Sequence, residues 1–210
     1  MNRKIGRLLA AFAHMLRMTP NQVTLVSALF TFTGIALLAT LPPTWYLGII
    51  IWLLLALGYA WDSADGQVAR LRGGGSVAGE WLDHFVDALK ISCLHLAVLI
   101  GWFRYFPLGN ELWLLIPIGF AIVGAVTFFA MILNDLLKDS RGVAKAIEQG
   151  GSSPLRSVLL LPTDYGILCL SFALWGSPVV FTGVYSLLFL ACAMFLVLAA
   201  SKWFRDMKKL

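Results

Sequence analysis

Residues 61–87 read WDSADGQVARLRGGGSVAGEWLDHFVD, and the four aspartates in this segment indicate how the chain folds. Asp62 and Asp65 are spaced i,i+3, which places both on one face of a helix. Asp83 and Asp87 are spaced i,i+4 and likewise share a face. A run of three glycines predicts a short loop between the two helices, which would make them antiparallel neighbours. The segment therefore predicts four carboxylates that converge at one end of a helix pair.

Four converging carboxylates repel one another, so the cluster requires either protonation of some members or a bound divalent cation. Carboxylate oxygens are hard ligands suited to Mg²⁺, Mn²⁺ or Ca²⁺, whereas the segment lacks the cysteines and paired histidines that zinc prefers. A purely structural alternative is that the acids stabilise a helix N-terminus. That alternative suits Asp83 and Asp87 but not Asp62 and Asp65, which lie at the opposite kind of helix end.

Small side chains accompany the aspartates. Gly66 and Ala69 share a helix face with the first pair, and Gly79 lies one turn before the second pair. Because these positions have little or no side chain, a flat or bulky ligand can approach the backbone there. Arg70 supplies a fixed positive charge for phosphate. Together these residues indicate a site for a phosphate-bearing nucleotide.

The rest of the chain is predominantly apolar. Of its 210 residues, 60% are hydrophobic and 13% are charged, whereas soluble domains carry about 25% charged residues. The bilayer is the natural solvent for such a chain. The net charge of +5 does not point to nucleic acid, because the basic residues lie in short segments between apolar runs. We therefore expect a membrane lipid environment and no nucleic-acid partner.

The breaks between apolar runs predict an all-α integral membrane fold of six transmembrane helices. The expected spans are 22–41, 45–62, 79–103, 111–135, 157–175 and 178–201. Apolar residues at helical spacing before the first span predict an amphipathic helix on the membrane surface. The chain thus divides into an amphipathic juxtamembrane helix at 1–18, a six-helix domain at 19–205 and a short basic tail at 206–210.

The positive charges orient these spans. Six spans place both termini on one side of the membrane. That side holds all but two of the 16 lysines and arginines, since Arg104 lies on the other side and Lys90 lies inside the third span. Cytoplasmic loops carry the excess of positive charge. Both termini and the aspartate-rich face are therefore predicted to be cytoplasmic, and we expect the plasma membrane of a prokaryote.

The pattern D-x2-D-G-x2-A-R-x8-G-x3-D-x3-D over residues 62–87 resembles the signature of the CDP-alcohol phosphotransferase family. Every fixed position is filled: Asp62, Asp65, Gly66, Ala69, Arg70, Gly79, Asp83 and Asp87. The stretch TPNQVT at residues 19–24 is similar to the P-N-x-x-T sequence that precedes the family's first span. The six-span plan and the surface helix match as well, so the likeness covers the whole chain and is sharpest at 19–24 and 62–87.

The resemblance implies a metal-dependent enzyme of phospholipid biosynthesis that forms a homodimer. It would transfer a phosphatidyl group from a CDP-alcohol, in the simplest case CDP-diacylglycerol, to a hydroxyl of a small polar alcohol, releasing CMP. Two Mg²⁺ or Mn²⁺ ions would be held by Asp62, Asp65, Asp83 and Asp87. Asp87 would also act as the general base. The cytidine diphosphate would be framed by Gly66, Ala69, Arg70 and Gly79, with Asn21 and Thr24 nearby.

The acceptor site is less sharply defined. Lys90, one turn beyond Asp87, could be a counter-ion for the acids, a cation of the acceptor site or a lysine that snorkels to the surface. The end of the fourth span and the loop after it supply further candidates for acceptor binding: Asp135, Lys138, Arg141 and Arg156. Positive-inside topology alone also accounts for this basic cluster.

Two alternative functions stay open. The pair Asp83-His84 after Gly79-Glu80 resembles the family's choline and ethanolamine transferases. That reading would reverse the roles, so that a soluble CDP-aminoalcohol gives its head group to diacylglycerol. A cation-coupled membrane transporter would use the same intramembrane acids without a nucleotide.

Overall fold

The structure is a computed structural model that describes residues 2–142 and 163–210. Within these two ranges every regular element is a helix, as the sequence predicts. The α-helices are α1 (Asn2–Met15), α2 (Pro20–Thr40), α3 (Trp45–Leu71), α4 (Val77–Tyr105), α5 (Leu115–Ser140), α6 (Tyr165–Ser171) and α7 (Pro178–Met207). Short 3₁₀ helices precede α5 at Glu111–Leu114 and follow α6 at Phe172–Leu174.

Local sequence signals explain where the first membrane helices begin and end. Thr19 caps α2 in a reciprocal capping box with Gln22, and Pro20 occupies the first helical turn, where it sacrifices no hydrogen bond. Leu41 leaves the helical conformation immediately before two prolines that cannot continue the helix. The Thr44 hydroxyl then accepts from the backbone N–H of Leu47 and starts α3.

Five segments among the described residues are long and apolar enough to cross a membrane. They are Pro20–Thr40, Trp45–Leu71, Val77–Tyr105, Glu111–Ser140 and Pro178–Met207, and they correspond to five of the six predicted spans. The remaining predicted span, 157–175, lies partly outside the described residues. Its described part contains only the short apolar helical segment Tyr165–Leu174. The count of six therefore stays a prediction.

Helices α2, α3 and α4 form the best-packed part of the chain. Helix α2 packs along both α3 and α4, whereas α3 and α4 make almost no direct backbone contact with each other. Side chains nevertheless join α3 and α4 directly, because the Asp62 carboxylate of α3 accepts a hydrogen bond from Lys90 of α4. The two aspartate-bearing helices are therefore neighbours connected by a short loop, as the sequence predicts.

Helix α1 lies against the end of α3 through its smallest residues. Ala10 and Ala13 are buried in a cluster that includes Trp61 and Val68. A Cβ atom at Gly6 would come within 2.8 Å of the Ser63 hydroxyl, so only glycine permits this close approach. The opposite face of α1 is apolar and exposed, through Ile5, Leu8, Phe12, Met15 and Leu16. This amphipathic pattern is the one expected of a helix lying on a membrane surface.

An aromatic core holds the opposite end of the bundle. Trp102 and Phe106 at the end of α4 pack with Trp175, Phe181 and Tyr185 from the α6–α7 region. Helices α5 and α7 bury a much smaller share of their residues than α2, α3 and α4 do. The three well-packed helices are therefore the scaffold on which the aspartates are held.

Candidate active site

The start of α2, the end of α3 and the start of α4 meet at one end of the bundle, which we call the acidic end. The α3–α4 loop is tight because Gly73 and Gly74 adopt φ angles of +91° and +128°, a region that other residues avoid. The Ser76 hydroxyl caps α4 by accepting from the backbone N–H of Gly79. The loop glycines and this cap together fix where α4 begins and hence where its aspartates lie.

Three of the four predicted metal ligands converge at the acidic end. One carboxylate oxygen each from Asp62, Asp83 and Asp87 lies within 4.8 Å of the others, and these residues are the only such group of potential metal ligands among the described residues. The side chains of Asp62 and Asp87 are each 26% exposed. Oxygens gathered at this spacing form a donor set suited to Mg²⁺ or Mn²⁺.

The fourth predicted ligand, Asp65, lies beside this group rather than within it. Asp65 is 8% exposed, and its Oδ2 accepts a hydrogen bond of 2.9 Å from the Thr24 hydroxyl of α2. The same hydroxyl lies 3.2 Å from the carbonyl oxygen of Pro20. Thr24 therefore orients the Asp65 carboxylate from the neighbouring helix, and a metal-binding role for Asp65 stays a prediction.

One carboxylate oxygen of this group has no hydrogen-bond partner. Oδ1 of Asp83 is buried and receives no hydrogen bond from any residue that the structure describes. Burying a polar atom without a hydrogen-bond partner costs the full free energy of removing it from water. The cost is higher for a carboxylate oxygen because it is charged. A divalent cation would satisfy it. The residues present therefore fit the metal that the sequence pattern implies.

Lys90 reaches into the acidic end from α4. Its ammonium group donates to Oδ1 of Asp87 at 3.1 Å, to the Ser27 hydroxyl at 3.0 Å and to Oδ1 of Asp62. Lys90 is 6% exposed, so it is not a lysine that snorkels to the surface. Of the three roles that the sequence left open, its contacts are those of a counter-ion for the acids.

Ser27 is a member of the site that sequence reasoning missed. Its hydroxyl lies 2.9 Å from the carbonyl oxygen of Gly58 and 3.4 Å from Oδ1 of Asp62, besides accepting from Lys90. The available signal was helical spacing, since Ser27 lies three residues after Thr24 and faces α3 in the same way.

A cavity of about 880 Å³ opens beside the aspartates. Its walls come from the start of α2, the end of α3, the glycine loop and the start of α4. All of the residues predicted to contact the nucleotide line it: Asn21, Thr24, Gly66, Ala69, Arg70 and Gly79. Asp65 and Asp83 line the same cavity. The structure therefore brings the predicted nucleotide contacts and two of the acids to one space.

Gly79 keeps this cavity open on the α4 side. A Cβ atom at this position would lie 3.0 Å from Oδ1 of Asn21 and 3.2 Å from the Ser76 hydroxyl. By contrast, a Cβ atom at Gly66 would meet only the Arg70 guanidinium, at 3.7 Å. Among the described residues, a flexible cationic side chain is therefore the close neighbour of this position, which suits a phosphate-binding surface.

His84 separates the large cavity from a smaller apolar one. It lines both spaces, and its ring packs edge-on against Phe128 of α5. The smaller space, about 320 Å³, lies between α4 and α5 and has aromatic walls that include Trp81 and Phe85. His84 also lies 4.0 Å from the exposed Glu80 carboxylate, which is a weak contact.

The predicted acceptor residues that the structure describes lie away from the large cavity. Asp135, Lys138 and Arg141 lie at the end of α5, and within the described ranges none of them lines the large cavity. Arg156 lies outside the described residues. Their neighbour Asn134 is 9% exposed, and its side-chain amide nitrogen has no hydrogen-bond partner in the part of the chain that the structure describes. The acceptor assignment of all four charged residues stays a prediction.

The sequence profile described as CDP-alcohol phosphatidyltransferase matches residues 17–203. Over 92 residues the chain is 46% identical to phosphatidylinositol phosphate synthase of Corynebacterium glutamicum. This alignment covers 43% of the chain and 39% of that protein, so well under two thirds of either sequence is compared.

Solved structures resemble the chain over almost its whole length. The crystal structure of Mycobacterium tuberculosis phosphatidylinositol phosphate synthase with CDP-DAG bound matches with a TM-score of 0.63 at 18% identity, covering 96% of this chain and 94% of that one. The same enzyme in complex with manganese and citrate matches with a TM-score of 0.59 at 18% identity, covering 95% and 88%. At this level of identity the likeness demonstrates a shared fold.

Proposed function

This chain belongs to the CDP-alcohol phosphatidyltransferase family, and from that premise we propose that it transfers a phosphatidyl group from CDP-diacylglycerol to a hydroxyl of a small polar alcohol, releasing CMP. One observation carries the proposal. Carboxylate oxygens of Asp62, Asp83 and Asp87 gather beside a cavity that every predicted nucleotide contact lines. The relatives named phosphatidylinositol phosphate synthase, one of them with CDP-DAG bound, support the same class of reaction.

The proposal extends to topology and assembly. We infer six spans with both termini and the acidic end cytoplasmic, in the plasma membrane of a prokaryote, because nearly all lysines and arginines then face the cytoplasm. Residues 1–18 would lie on the membrane surface, supported by the exposed apolar face of α1, ahead of the six-helix domain at 19–205 and the basic tail at 206–210. This orientation places the water-soluble nucleotide moiety at the membrane boundary while the donor's acyl chains stay in lipid.

We further propose that the protein is a homodimer.

The donor's cytidine diphosphate would occupy the large cavity. Arg70 faces it with a charged guanidinium group, which suits a pyrophosphate oxygen. Gly66, Ala69 and Gly79 leave the backbone accessible to the nucleotide, and Asn21 and Thr24 form the wall contributed by α2. Thr24 has a second task, since it holds the Asp65 carboxylate toward the same space.

The aspartates would hold two Mg²⁺ or Mn²⁺ ions. When bound, such ions neutralise the pyrophosphate and the charge that develops on departing CMP. Asp62, Asp83 and Asp87 supply the oxygens that already lie together, and Asp65 completes the set from the cavity wall. Asp83 has the clearest structural reason to bind an ion, because one of its buried oxygens has no hydrogen-bond partner within residues 2–142 and 163–210.

Asp87 would act as the general base. The acceptor hydroxyl gives its proton to the Asp87 carboxylate while its oxygen forms a bond to the phosphatidyl phosphorus, and the bond from that phosphorus to the CMP oxygen breaks. Most of the rate enhancement in such a displacement comes from positioning and charge stabilisation. Asp87 is suitably fixed, because Lys90 holds its Oδ1 at 3.1 Å.

The acceptor would approach from the side of α5. Lys138, Arg141 and Arg156 would favour an anionic alcohol, and Asp135 would bind its hydroxyl groups. The buried and unpartnered Asn134 amide near them offers a further donor. Phosphorylated inositol belongs in the acceptor panel because of the names of the relatives, together with unphosphorylated inositol, glycerol phosphate and serine.

The test is CMP release by the purified protein in detergent, with labelled CDP-diacylglycerol, the acceptor panel and Mn²⁺ or Mg²⁺. We expect metal-dependent CMP release with at least one acceptor and a lipid product of matching mass. Asp87→Asn should abolish both, whereas Asp139→Asn, an exposed acid at the end of α5, should retain both. Absence of metal-dependent release with every acceptor would contradict the proposal.

The same preparation discriminates the two alternatives. Product formation only from a CDP-aminoalcohol and diacylglycerol would favour head-group transfer, for which the Asp83-His84 pair is the supporting feature. Metal-driven ion flux into liposomes without any nucleotide would favour a transporter. Neither result is expected.

A further inference from the structure

Lys90 is a cation built into the acidic end. Its ammonium group lies among Asp62 of α3, Asp87 of its own helix α4 and Ser27 of α2. At 6% exposure it is sheltered from water, and in the two described ranges it is the only lysine or arginine paired with the aspartates of the site. A buried ammonium in this position offsets part of the repulsion among the carboxylates.

The ammonium uses the same kind of atoms that a metal would use. Asp62 and Asp87 belong to the group whose oxygens lie within 4.8 Å of one another, and an oxygen of each accepts a hydrogen bond from Lys90. An ammonium and a divalent cation both require carboxylate lone pairs, and they repel each other at short range. Occupancy of these oxygens by Lys90 therefore opposes occupancy by metal.

Ser27 gives the ammonium a second partner. The hydroxyl lies 3.0 Å from the Lys90 nitrogen and 2.9 Å from the carbonyl oxygen of Gly58. If Asp62 and Asp87 turn toward a metal ion, the ammonium can keep its contact with Ser27. The ammonium group can therefore stay at the interface of α2 with α3 in both the metal-free and the metal-bound site.

We propose that Lys90 is the resident counter-cation of this site: it holds Asp62 and Asp87 in place before metal binds, competes with the metal for their oxygens, and so sets the affinity of the site for Mn²⁺ or Mg²⁺. The inference rests on the metal site of the proposed function and concerns its regulation by a residue outside the family's signature pattern. Lys90 is a positioning residue in this role, because it acts through the two aspartates.

A purely structural alternative is that Lys90 only ties three helices together by hydrogen bonds. The substitution Lys90→Gln separates the two roles, because glutamine retains hydrogen-bond donors but lacks the charge. Lys202→Gln is the matched control, since it removes one positive charge from an exposed position near the end of α7.

The measurement is Mn²⁺ binding to the metal-free protein in detergent, followed by the electron paramagnetic resonance signal of free Mn²⁺, with thermal unfolding in parallel. Lys90→Gln should bind Mn²⁺ about tenfold more tightly than wild type, because one nearby positive charge is gone. Its Tm should be lower than wild type in EDTA and should recover when Mn²⁺ is added. Lys202→Gln should match wild type in both.

An unchanged or weaker Mn²⁺ affinity in Lys90→Gln, or a loss of Tm that Mn²⁺ does not recover, would overturn the inference. Ser27→Ala provides a second test if the first variant does not fold. It removes the alternative partner of the ammonium, so Mn²⁺ affinity should fall several-fold, and an unchanged affinity would contradict the proposal.

These results are independent of catalysis. If the wild-type protein releases CMP but Lys90→Gln binds Mn²⁺ with unaltered affinity, the inference about Lys90 is contradicted and the proposed reaction is not. If no CMP is released but Lys90→Gln shows the expected change in Mn²⁺ affinity, the proposed reaction is contradicted and the inference about Lys90 is not.

Discussion

The four aspartates of the acidic end form two pairs in different surroundings. Asp62 and Asp87 share the Lys90 ammonium and are already held in place by it. Asp65 and Asp83 line the large cavity. Thr24 orients Asp65, and Asp83 has a buried oxygen without a hydrogen-bond partner among the described residues. The negative charge of the first pair is partly balanced by Lys90, whereas the charge of the second pair is left for a bound ligand to balance.

This difference shows how a membrane protein can hold four carboxylates in one place. An internal cation reduces the repulsion among the carboxylates, while incomplete neutralisation would preserve affinity for the metal and nucleotide of the proposed function. The same division predicts that equivalent substitutions in the two pairs have similar effects on catalysis but different effects on stability.

The largest effect is expected from neutralising one carboxylate of either pair. Asp83→Asn and Asp62→Asn should each lower the rate of metal-dependent CMP release by about 10³-fold, because an amide neither balances the developing charge nor binds the ion as a carboxylate does. Steady-state rates with CDP-diacylglycerol measure this. If Asp83→Asn retained a rate within about tenfold of wild type, Asp83 would not be a metal ligand.

In the metal-free protein, the change in stability on substitution should have opposite signs in the two pairs. Asp62→Asn removes one carboxylate partner of the buried Lys90 ammonium and should destabilise the protein by about 2 kcal/mol. Removing every partner would cost more, but Asp87 remains. Asp83→Asn should leave the Tm unchanged or raise it, since it removes a repulsive charge. Thermal unfolding in EDTA tests this, and equal losses of Tm in both variants would refute the division into pairs.

A smaller effect is expected from the contact that orients Asp65. Thr24→Val keeps the shape of the side chain but removes the 2.9 Å hydrogen bond to the carboxylate, and kcat/KM for CDP-diacylglycerol should fall about tenfold. Thr33→Val on the same helix is the control, because the exposed Thr33 hydroxyl bonds only to the carbonyl oxygen of Leu29. Similar kinetics in the two variants would indicate that Asp65 needs no support from α2.

The smallest effect is expected where the cavity is merely narrowed. Gly79→Ala would place a methyl group 3.0 Å from Oδ1 of Asn21, and the KM for CDP-diacylglycerol should rise several-fold while kcat changes little. Gly183→Ala, whose added methyl group would meet no atom within 4 Å, is the matched control. An unaltered KM in Gly79→Ala would argue that the nucleotide does not pass close to α4.

The local part of the site could be predicted from the sequence. Helical periodicity determines which residues share a face, so the spacing of Asp83 and Asp87 was enough to bring their oxygens together. Gly66, Ala69 and Arg70 of α3 line one cavity for the same reason, whereas the nucleotide contacts on α2 and α4 were predicted from the family resemblance. Spacing within one helix is a property that the sequence carries directly.

The order of the helices in space could not be predicted in this way. Helix α2 packs on both α3 and α4, and it brings Ser27 into the site. Periodicity identifies the buried face of a helix but not the helix that covers it. For the same reason, the sequence could not choose among three roles for Lys90, whose partners lie on three helices.

The helix boundaries show a second limit. Hydropathy alone ends the second span at residue 62, where the apolar run stops, whereas α3 continues to Leu71, as the helical spacing of the residues after Asp62 predicts. Hydropathy reports where a helix leaves the lipid, whereas the helix itself ends where the glycine loop begins. The aspartates of α3 therefore lie within a continuous helix, which keeps Asp62 and Asp65 rigidly placed.

The central claim is that the aspartates hold a divalent cation where the pyrophosphate of a CDP-alcohol binds. Electron–nuclear double resonance of Mn²⁺ bound to the protein, recorded with CDP or CDP-diacylglycerol, tests it most directly. We predict a ³¹P coupling between the nucleotide and protein-bound Mn²⁺ that disappears in Asp83→Asn. Mn²⁺ that binds without any ³¹P coupling, or a coupling unchanged in Asp83→Asn, would contradict the account.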